Sequence, residues 1–331
     1  MTAPAPTSGA LAPRDVSIIL CTRERPDMLR EALASIAAGT DPAVEVIVVD
    51  SASTDARTRE VALAAGTRYV RTDTKGLSIA RNIGLDASDR RIVVYTDDDC
   101  APTPGWIEAL LRAFEDEHVT VATGRMLDHT LVDTDVPPTD RIVYRSAVRG
   151  LDAGHGAVMA FRRDVLQTLG AFDDTLGAGR YLAGAEDLDI FCRALAAGGT
   201  AVFVPDSVVL HVNTRNPVAY RRLMRGYGLG LGALVGKWWR LSPKVGARLT
   251  ATLAVRSGRR LVRSAKRRGR GARDELAMVE GILRGYLRSR HLRLSGSTFV
   301  DEYPPTPIRL PAGPASAGPT SAGSAPAGTP S

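Results

Sequence analysis

Short apolar runs alternate with segments of helical periodicity along the N-terminal part of the chain. The apolar runs occupy residues 15–20, 44–49, 69–70 and 92–95. Three segments between them place apolar side chains at intervals of three and four residues: 28–38, 55–65 and 78–87. Such spacing predicts helices, and continuous Val and Ile runs are typical of parallel strands covered on both faces. The pattern therefore predicts an α/β fold, with a mostly parallel sheet flanked by helices.

Weaker elements continue as far as residue 212. We predict helices at 106–114, 164–169 and 186–197, and strands at 119–124, 157–161, 201–204 and 208–212. Residues 127–144 contain Pro137 and Pro138, which break both patterns, and we expect an irregular, lid-like segment there.

The composition of the whole chain predicts four parts. They are a disordered lead-in at 1–13, the α/β domain at 14–213, a basic helical extension at 214–294 and a disordered Pro/Ala/Gly/Ser tail at 295–331.

The formal net charge is +7, and the excess is concentrated in the extension, where residues 256–273 carry Lys and Arg but no acid. A solvated helical face explains this charge, and so does attraction to an anionic membrane surface. Nucleic acid is not an expected partner, because no recognition motif accompanies the charge. Aromatic and basic residues are also close in sequence within the extension. They are Arg225, Tyr227, Lys237, Trp238, Trp239 and Arg240. These side chains either anchor the extension at a membrane interface or pack on the α/β domain.

Cysteine use indicates the compartment. Cys21, Cys100 and Cys192 are too few and too widely spaced for a disulfide framework or a zinc site. No signal-peptide pattern and no apolar run of roughly 18 residues is present. We therefore expect a cytoplasmic protein, which would be peripheral at the inner face of the membrane if the basic extension binds lipid.

The run Asp97-Asp98-Asp99 follows the apolar run at 92–95. Three carboxylates at the end of a buried strand repel one another and resist burial. A divalent cation, Mg²⁺ or Mn²⁺, would resolve the conflict and would also hold a diphosphate. If the strand continues, Asp97 and Asp99 lie on one side and Asp98 on the other. An acidic surface turn is the alternative interpretation.

Five segments in this order resemble the family 2 glycosyltransferases, which have the GT-A fold. They are SIILCTRER at 17–25, VVDSAS at 48–53, KGLSIARNIG at 75–84, TDDD at 96–99 and GAEDLD at 184–189. The resemblance covers about residues 16–212. It implies transfer of a sugar from a nucleotide-sugar donor to a hydroxyl acceptor, in cell-surface polysaccharide, glycolipid or secondary-metabolite glycosylation.

The resemblance also assigns roles to individual residues. It implies that the nucleotide-sugar contacts Thr22, Arg23, Glu24, Asp50, Ser51, Lys75, Arg81, Asp97 and Asp98. Asp99 is the expected direct metal ligand, assisted by Asp97 and His211. Three alternatives stay open: a turn cap for Asp50, a structural ion pair for Arg81 and a structural role for His211.

On the acceptor side, the resemblance implies inverting chemistry with a general base in the Glu186-Asp187 pair. We favour Asp187, with Glu186 as the alternative, and expect His155 and Gly156 to contact the acceptor. The acceptor would be a saccharide, a lipid-linked molecule or a small molecule. Donor hydrolysis must be prevented, so we expect residues 127–149 to order over the site.

Two rival functions are consistent with parts of this pattern. A nucleotidyltransferase would share the fold and the acidic metal site, but it needs a Gly-rich triphosphate loop near the first strand, and residues 21–26 contain no glycine. A non-catalytic, membrane-associated scaffold would have no need of Asp99 and Asp187. The glycosyltransferase is therefore the preferred hypothesis.

Overall fold

The computed structural model of the chain describes residues 10–131, 139–212, 217–266 and 271–309. The helices are α1 (Pro26–Gly39), α2 (Arg57–Ala64), α3 (Leu77–Ala87), α4 (Trp106–Ala113), α5 (Arg163–Thr168), α6 (Glu186–Ala196), α7 (Pro217–Leu241), α8 (Pro243–Lys266) and α9 (Ala272–Ser289). The strands are β1 (Val16–Thr22), β2 (Glu45–Ser51), β3 (Arg68–Thr72), β4 (Ile92–Asp97), β5 (Cys100–Pro102), β6 (Val119–Asp128), β7 (Ile142–Tyr144), β8 (Val158–Arg162), β9 (Thr200–His211), β10 (Leu294–Ser295) and β11 (Thr298–Phe299). These elements confirm the predicted α/β fold with C-terminal helices.

The main sheet has the strand order β3-β2-β1-β4-β8-β6-β9-β5, and β7 pairs with β9. Strands β3, β2, β1 and β4 are mutually parallel, whereas β8 is antiparallel to both of its neighbours. In the register, Thr22 lies opposite Asp50, and Cys21 lies opposite Asp97. The carboxyl ends of β1, β2 and β4 therefore meet at one edge, where parallel sheets bind ligands.

Helices cover both faces of the sheet. On β1, Ile18 and Leu20 pack beneath α1, α2 and α4, whereas Ile19 and Cys21 point to α3, α5 and α6 on the opposite face. Because successive side chains of a strand point to opposite faces, a continuous apolar run is what two covered faces require. This arrangement explains why the Val and Ile runs predicted the strands correctly.

The C-terminal helices pack closely on one another. At Gly228 and Gly232 of α7, and at Gly281 and Gly285 of α9, an added Cβ would collide with the backbone of the opposite helix. Helix α7 also buries Trp238 in a cluster that includes side chains of α6 and α8. The extension is thus joined to the α/β domain through an apolar interface.

This packing changes the interpretation of the aromatic and basic group in the extension. Lys237 is fully buried and Trp238 is 5% exposed, so neither can anchor the protein at an interface. Tyr227 and Trp239 are each about 40% exposed. Among the described residues, no helix is long and apolar enough to cross a bilayer.

The middle of the sheet differs from the prediction in two respects. One continuous strand, β9, replaces the two short strands expected around Pro205. The β6–β9 pairing shifts register between Thr123 and Arg125, and this irregularity accommodates the proline, which cannot donate a ladder hydrogen bond. The expected lid-like segment is partly regular, because β6 extends to residue 128 and β7 joins the sheet. Its residues 132–138 lie outside the described part.

We expected a disordered tail from residue 295, but the segment after α9 packs on the folded unit as far as the described residues extend. Strands β10 and β11 form a small antiparallel pair, and Phe299 is 5% exposed in an apolar cluster with Leu176, Leu182 and Ala233. The ion pair of Arg180 with Asp301 and the hydrogen bond from the Ile308 N–H to the Asp73 carbonyl also hold this segment. Residues 310–331 and 1–9 lie outside the described part of the chain.

Candidate functional site

A cleft of about 720 Å³ opens at the carboxyl ends of β1, β2 and β4. The start of α6 and the loop before β8 form its far side, and α7, α8 and α9 close one end. The predicted site residues that line it are Thr22, Arg23, Ser51, Lys75, Arg81, Asp97, Asp98, Asp99, His155, Gly156, Glu186, Asp187 and His211. The fold thus brings together residues that are far apart in the sequence.

Asp97, Asp98 and Asp99 form the acid cluster of this cleft, and Asp98 is held by its neighbours. Its carboxylate accepts hydrogen bonds from Thr22 Oγ1 at 2.7 Å and from Arg25 Nη1 at 3.0 Å. Burial raises the pKa of Asp98 to about 6, in spite of these two contacts. Asp98 therefore fixes the loop after β1 to the end of β4.

The other two acids of the cluster face a common point. Carboxylate oxygens of Asp97 and Asp99 and the Cys100 sulfur all lie within 4.8 Å of one another. His211 lies opposite Cys100 in the β5–β9 pair, which brings its Nε2 to 3.5 Å from Asp99. Burial, followed by the nearby carboxylates, raises the pKa of Cys100 far above its usual range, so its thiol stays protonated. Two carboxylates and an imidazole are a suitable donor set for Mn²⁺ or Mg²⁺.

The charge balance at this point also favours a cation. The pKa of Asp97 is raised, first by burial and then by Asp99 and Asp187, although Arg81 and His211 oppose the shift. The cluster is therefore held in a protein environment that disfavours its full negative charge. A bound cation would relieve that cost.

Arg81 of α3 connects the two sides of the cleft. It is 2% exposed, and it donates to Glu186 Oε1 at 2.9 Å, to Asp97 Oδ1 at 3.5 Å and to the Gly156 carbonyl at 3.4 Å. A Cβ at Gly156 would lie only 2.7 Å from the guanidinium, so a larger residue there would displace Arg81. Arg81 thus fixes the acid cluster relative to α6.

The two acids at the start of α6 have different surroundings. Asp187 accepts the Gly156 N–H at 2.9 Å and the Leu188 N–H at 2.8 Å. Glu186 is 8% exposed and paired with Arg81. Burial, and next the charge of Asp187, raise the pKa of Glu186 to about 7 although Arg81 lowers it. Of the two, Asp187 is the carboxylate without a cationic partner among the described contacts.

Two predicted nucleotide contacts do not line the cleft. Asp50 is fully buried, and its oxygens accept the Ser53 N–H at 2.9 Å and the Tyr69 hydroxyl at 2.8 Å. Glu24 has a φ of 57° and accepts the Thr54 N–H at 3.0 Å. Glu24 thus joins the loop after β1 to the loop after β2, whereas Asp50 joins the loop after β2 to β3. Direct contact of either side chain with a nucleotide stays a prediction.

Several residues of the cleft were not predicted from the sequence. Arg25 donates to Asp98 and Asp99 of the cluster. It belongs to the segment 17–25 that carries the resemblance, but no role was assigned to it from the sequence. The extension also contributes a C-terminal wall, which consists of Leu223, Tyr227, Leu231, Leu253, Arg256, Arg260 and Met278. The four-residue spacing of Arg256 and Arg260 indicated a shared helix face, but only the tertiary packing shows that this face meets the cleft.

Comparisons with known proteins find glycosyltransferases. The family model for glycosyl transferase family 2 matches residues 17–170. The chain is 25% identical to a pre-mycofactocin glycosyltransferase of Mycobacterium tuberculosis, over 90% of this chain and 62% of that protein. It is 30% identical to the succinoglycan biosynthesis protein ExoM of Rhizobium meliloti, over 59% of this chain and 65% of that protein. The chain thus spans less than two thirds of the length of these curated relatives.

A solved structure shares the fold. The mannosyltransferase PcManGT of Pyrobaculum calidifontis, in complex with GDP-Man and Mn²⁺, superimposes with a TM-score of 0.58 at 22% identity. The match covers 85% of this chain and 89% of that one. The family match and the shared fold lead to one conclusion: the α/β domain, whose residues 17–170 match the model for glycosyl transferase family 2, has the GT-A fold.

Proposed function

We propose that the protein is an inverting, metal-dependent glycosyltransferase that moves a sugar from a nucleotide-sugar donor to a hydroxyl acceptor. The observation that carries the proposal is the placement of Asp187 across the cleft from the acid cluster, with Arg81 and Gly156 fixing the distance between them. A donor bound between the two sides would expose its anomeric carbon to a hydroxyl next to Asp187.

Asp187 serves as the general base. It removes the proton of the acceptor hydroxyl as that oxygen bonds to the anomeric carbon, and the bond from this carbon to the diphosphate breaks. The bonding electrons leave with the nucleoside diphosphate. Attack from the side opposite the leaving group inverts the configuration. Glu186 is less suited to this role, because Arg81 already engages its carboxylate at 2.9 Å.

Asp99, Asp97 and His211 are the residues that would hold Mn²⁺ or Mg²⁺. A cation bound there would screen the diphosphate and would stabilise the departing nucleoside diphosphate. Support comes from the donor set itself and from a relative of the same fold that is described in complex with GDP-Man and Mn²⁺. Thr22, Arg23, Ser51 and Lys75 line the part of the cleft next to this site and would bind the nucleotide.

The nucleotide can be identified directly. We would measure the unfolding temperature with ADP, GDP, UDP or TDP, each with and without Mn²⁺, because a ligand that binds only the folded state stabilises it by mass action. We expect one diphosphate to raise this temperature strongly, and only when Mn²⁺ is present. A metal-independent response, or no response to any diphosphate, would contradict the proposal.

We also propose that helices α8 and α9 lie on an anionic membrane surface. Helix α9 exposes more than half of Leu276, Leu283 and Leu287, and α8 exposes Val255 and Val262 to a similar extent. The acid Glu280 of α9, whose side chain is 36% exposed, pairs with Arg284 at 2.7 Å. The residues of these two helices that are described as exposed and charged are basic: Lys244, Arg248, Arg259, Arg263, Arg273, Arg284 and Arg288. Exposed leucines interleaved with basic side chains are typical of helices that lie in a lipid interface.

Vesicle pelleting tests this contact. We expect pelleting with phosphatidylserine-containing vesicles at low salt, weaker pelleting at high salt and little with phosphatidylcholine alone. The variant Leu283→Gln/Leu287→Gln should lose most of the binding. Leu63→Gln is the matched control, because Leu63 is 52% exposed on α2, away from this surface. Equal pelleting of the two variants would refute the membrane contact.

A further inference from the structure

The C-terminal wall has a chemistry of its own. Its apolar members come from three helices: Leu223, Tyr227 and Leu231 from α7, Leu253 from α8 and Met278 from α9. They line the same cleft as Asp187. The donor side, in contrast, is lined by polar and charged side chains at the strand ends. A ligand that reaches from Asp187 to this wall therefore meets an apolar surface.

Two arginines belong to this wall. Arg256 and Arg260 are one turn apart on α8, so they face the same direction. Their side chains are 34% and 32% exposed, and both line the cleft. Arg256 contacts Asp152 at 2.6 Å, and Arg260 contacts Glu275 at 2.8 Å.

These ion pairs orient the guanidinium groups rather than bury them. Arg256 also donates to the Leu151 carbonyl at 3.5 Å, and Arg260 donates to Ser257 Oγ at 3.4 Å and to Met278 Sδ at 3.2 Å. A guanidinium carries five N–H donors, so each arginine still has donors that can meet a ligand. Two such groups on an otherwise apolar wall form a site for a molecule with an apolar body and an anionic group. Bidentate contact with phosphate or carboxylate is the interaction that arginine makes best.

We propose that this wall is the acceptor subsite and that it selects an amphipathic anion. The apolar body of the acceptor packs against Leu223, Leu231, Leu253 and Met278, and its phosphate or carboxylate group pairs with Arg256 and Arg260. Its hydroxyl then lies toward Asp187. Calling this wall an acceptor subsite rests on the proposed glycosyltransferase function. Binding of the anion to the wall, in contrast, can be measured without sugar transfer.

The probes are octyl phosphate and octanoate, each below its micelle concentration, which represent a lipid phosphate and a carboxylate. Calorimetric titration of the wild-type protein should show binding of octyl phosphate, octanoate or both. The probe that binds more tightly identifies the preferred anionic group, phosphate or carboxylate. In Arg256→Gln/Arg260→Gln the affinity should fall at least tenfold. The matched control is Arg259→Gln/Arg263→Gln, which removes the same charge from the exposed face of the same helix and should leave the affinity within twofold.

Octyl glucoside and inorganic phosphate should bind much more weakly, since each carries only half of the recognised chemistry. Equal losses in the two double variants, equally tight binding of octyl glucoside, or no binding of either anion would overturn the subsite. Nucleoside diphosphate binding with Mn²⁺, measured on the same proteins, separates the two proposals. If it is present while the anions fail to bind, only the subsite is wrong; if it is absent in wild type, the proposed function is wrong.

Discussion

Lys237 of α7 donates from its fully buried ammonium group to Asp189 of α6 at 2.8 Å and to Asp173 at 2.6 Å. Asp189 also accepts from Arg193 at 2.8 Å, and the ring of Phe299 lies 4.9 Å from the Lys237 ammonium. This network joins the extension to the helix that carries Asp187, two residues before Asp189. The extension therefore supports the position of the proposed base.

Removal of the Lys237 charge should destabilise the protein strongly. Lys237→Met leaves the buried Asp173 without a cationic partner and leaves Asp189 with Arg193 as its cationic partner. Removing one partner of a buried ion pair lowers the free energy of unfolding by about 3–5 kcal/mol in comparable cases. Urea denaturation should show this loss of free energy of unfolding. Lys244→Met removes the same charge from the exposed start of α8 and should change it by less than ~0.5 kcal/mol. Similar values for the two variants would contradict the structural role of the network.

The glycines between α7 and α9 give a second prediction. Gly232→Ala should destabilise the protein, because its Cβ would collide with the backbone of Ile282. Gly258→Ala is the control, since nothing lies within 4 Å of its Cβ position on α8. That change should stabilise the helix by roughly 0.5–1 kcal/mol. Thermal unfolding of both variants would show shifts of opposite sign, and a stabilising effect at Gly232 would exclude the close helix contact.

Glu186 should make the stability of the protein depend on pH. Its pKa is raised in the folded state to about 7 from 4.5, so folding favours its protonated form. The stability contribution of the group is complete below pH 4.5 and is lost as the pH rises to 7. Glu186→Gln removes this titration. The difference in free energy of unfolding should therefore shift in favour of the variant between pH 4.5 and 7, whereas a constant difference would argue against the raised pKa.

The acid cluster predicts two unequal effects on the metal. Asp99→Asn should raise the Mn²⁺ concentration for half-maximal nucleotide binding at least tenfold, because it removes a proposed ligand. Asp98→Asn should have a smaller effect, since the Asp98 carboxylate accepts from Thr22 and does not belong to the group of Asp97, Asp99 and Cys100 that faces a common point. Titration of Mn²⁺ against the unfolding temperature, at a fixed nucleotide concentration, measures both. The reverse order would make Asp98 the ligand.

Local patterns predicted most of the α/β domain, because a strand covered on both faces has to be apolar at every position. The sequence also placed polar residues at the strand ends, so Thr22, Asp97 and Asp99 could be assigned to one site. The partners of Lys237 could not be found in this way. They lie on three other segments, and an isolated lysine in a basic, aromatic stretch carries no pattern that indicates burial.

Asp50 illustrates a different limit of prediction. Its position at the end of β2 was correct, but the carboxylate is turned toward Ser53 and Tyr69. A strand pattern fixes the backbone and leaves the side-chain partner open. In the same way, the C-terminal wall depends on how α7, α8 and α9 pack on the domain, which periodicity within each helix does not determine.

The central claim is that Asp187 acts as the general base of sugar transfer, and Asp187→Asn tests it most directly. The amide keeps the size of the side chain and an oxygen that accepts the Gly156 N–H, but it cannot take a proton. With the nucleotide-sugar identified by its diphosphate, and with the acceptor in excess, transfer by this variant should fall by about 10²–10⁴-fold. Binding of the nucleoside diphosphate with Mn²⁺ should stay within twofold of wild type. Transfer at the wild-type rate, with the nucleotide bound normally, would contradict the account.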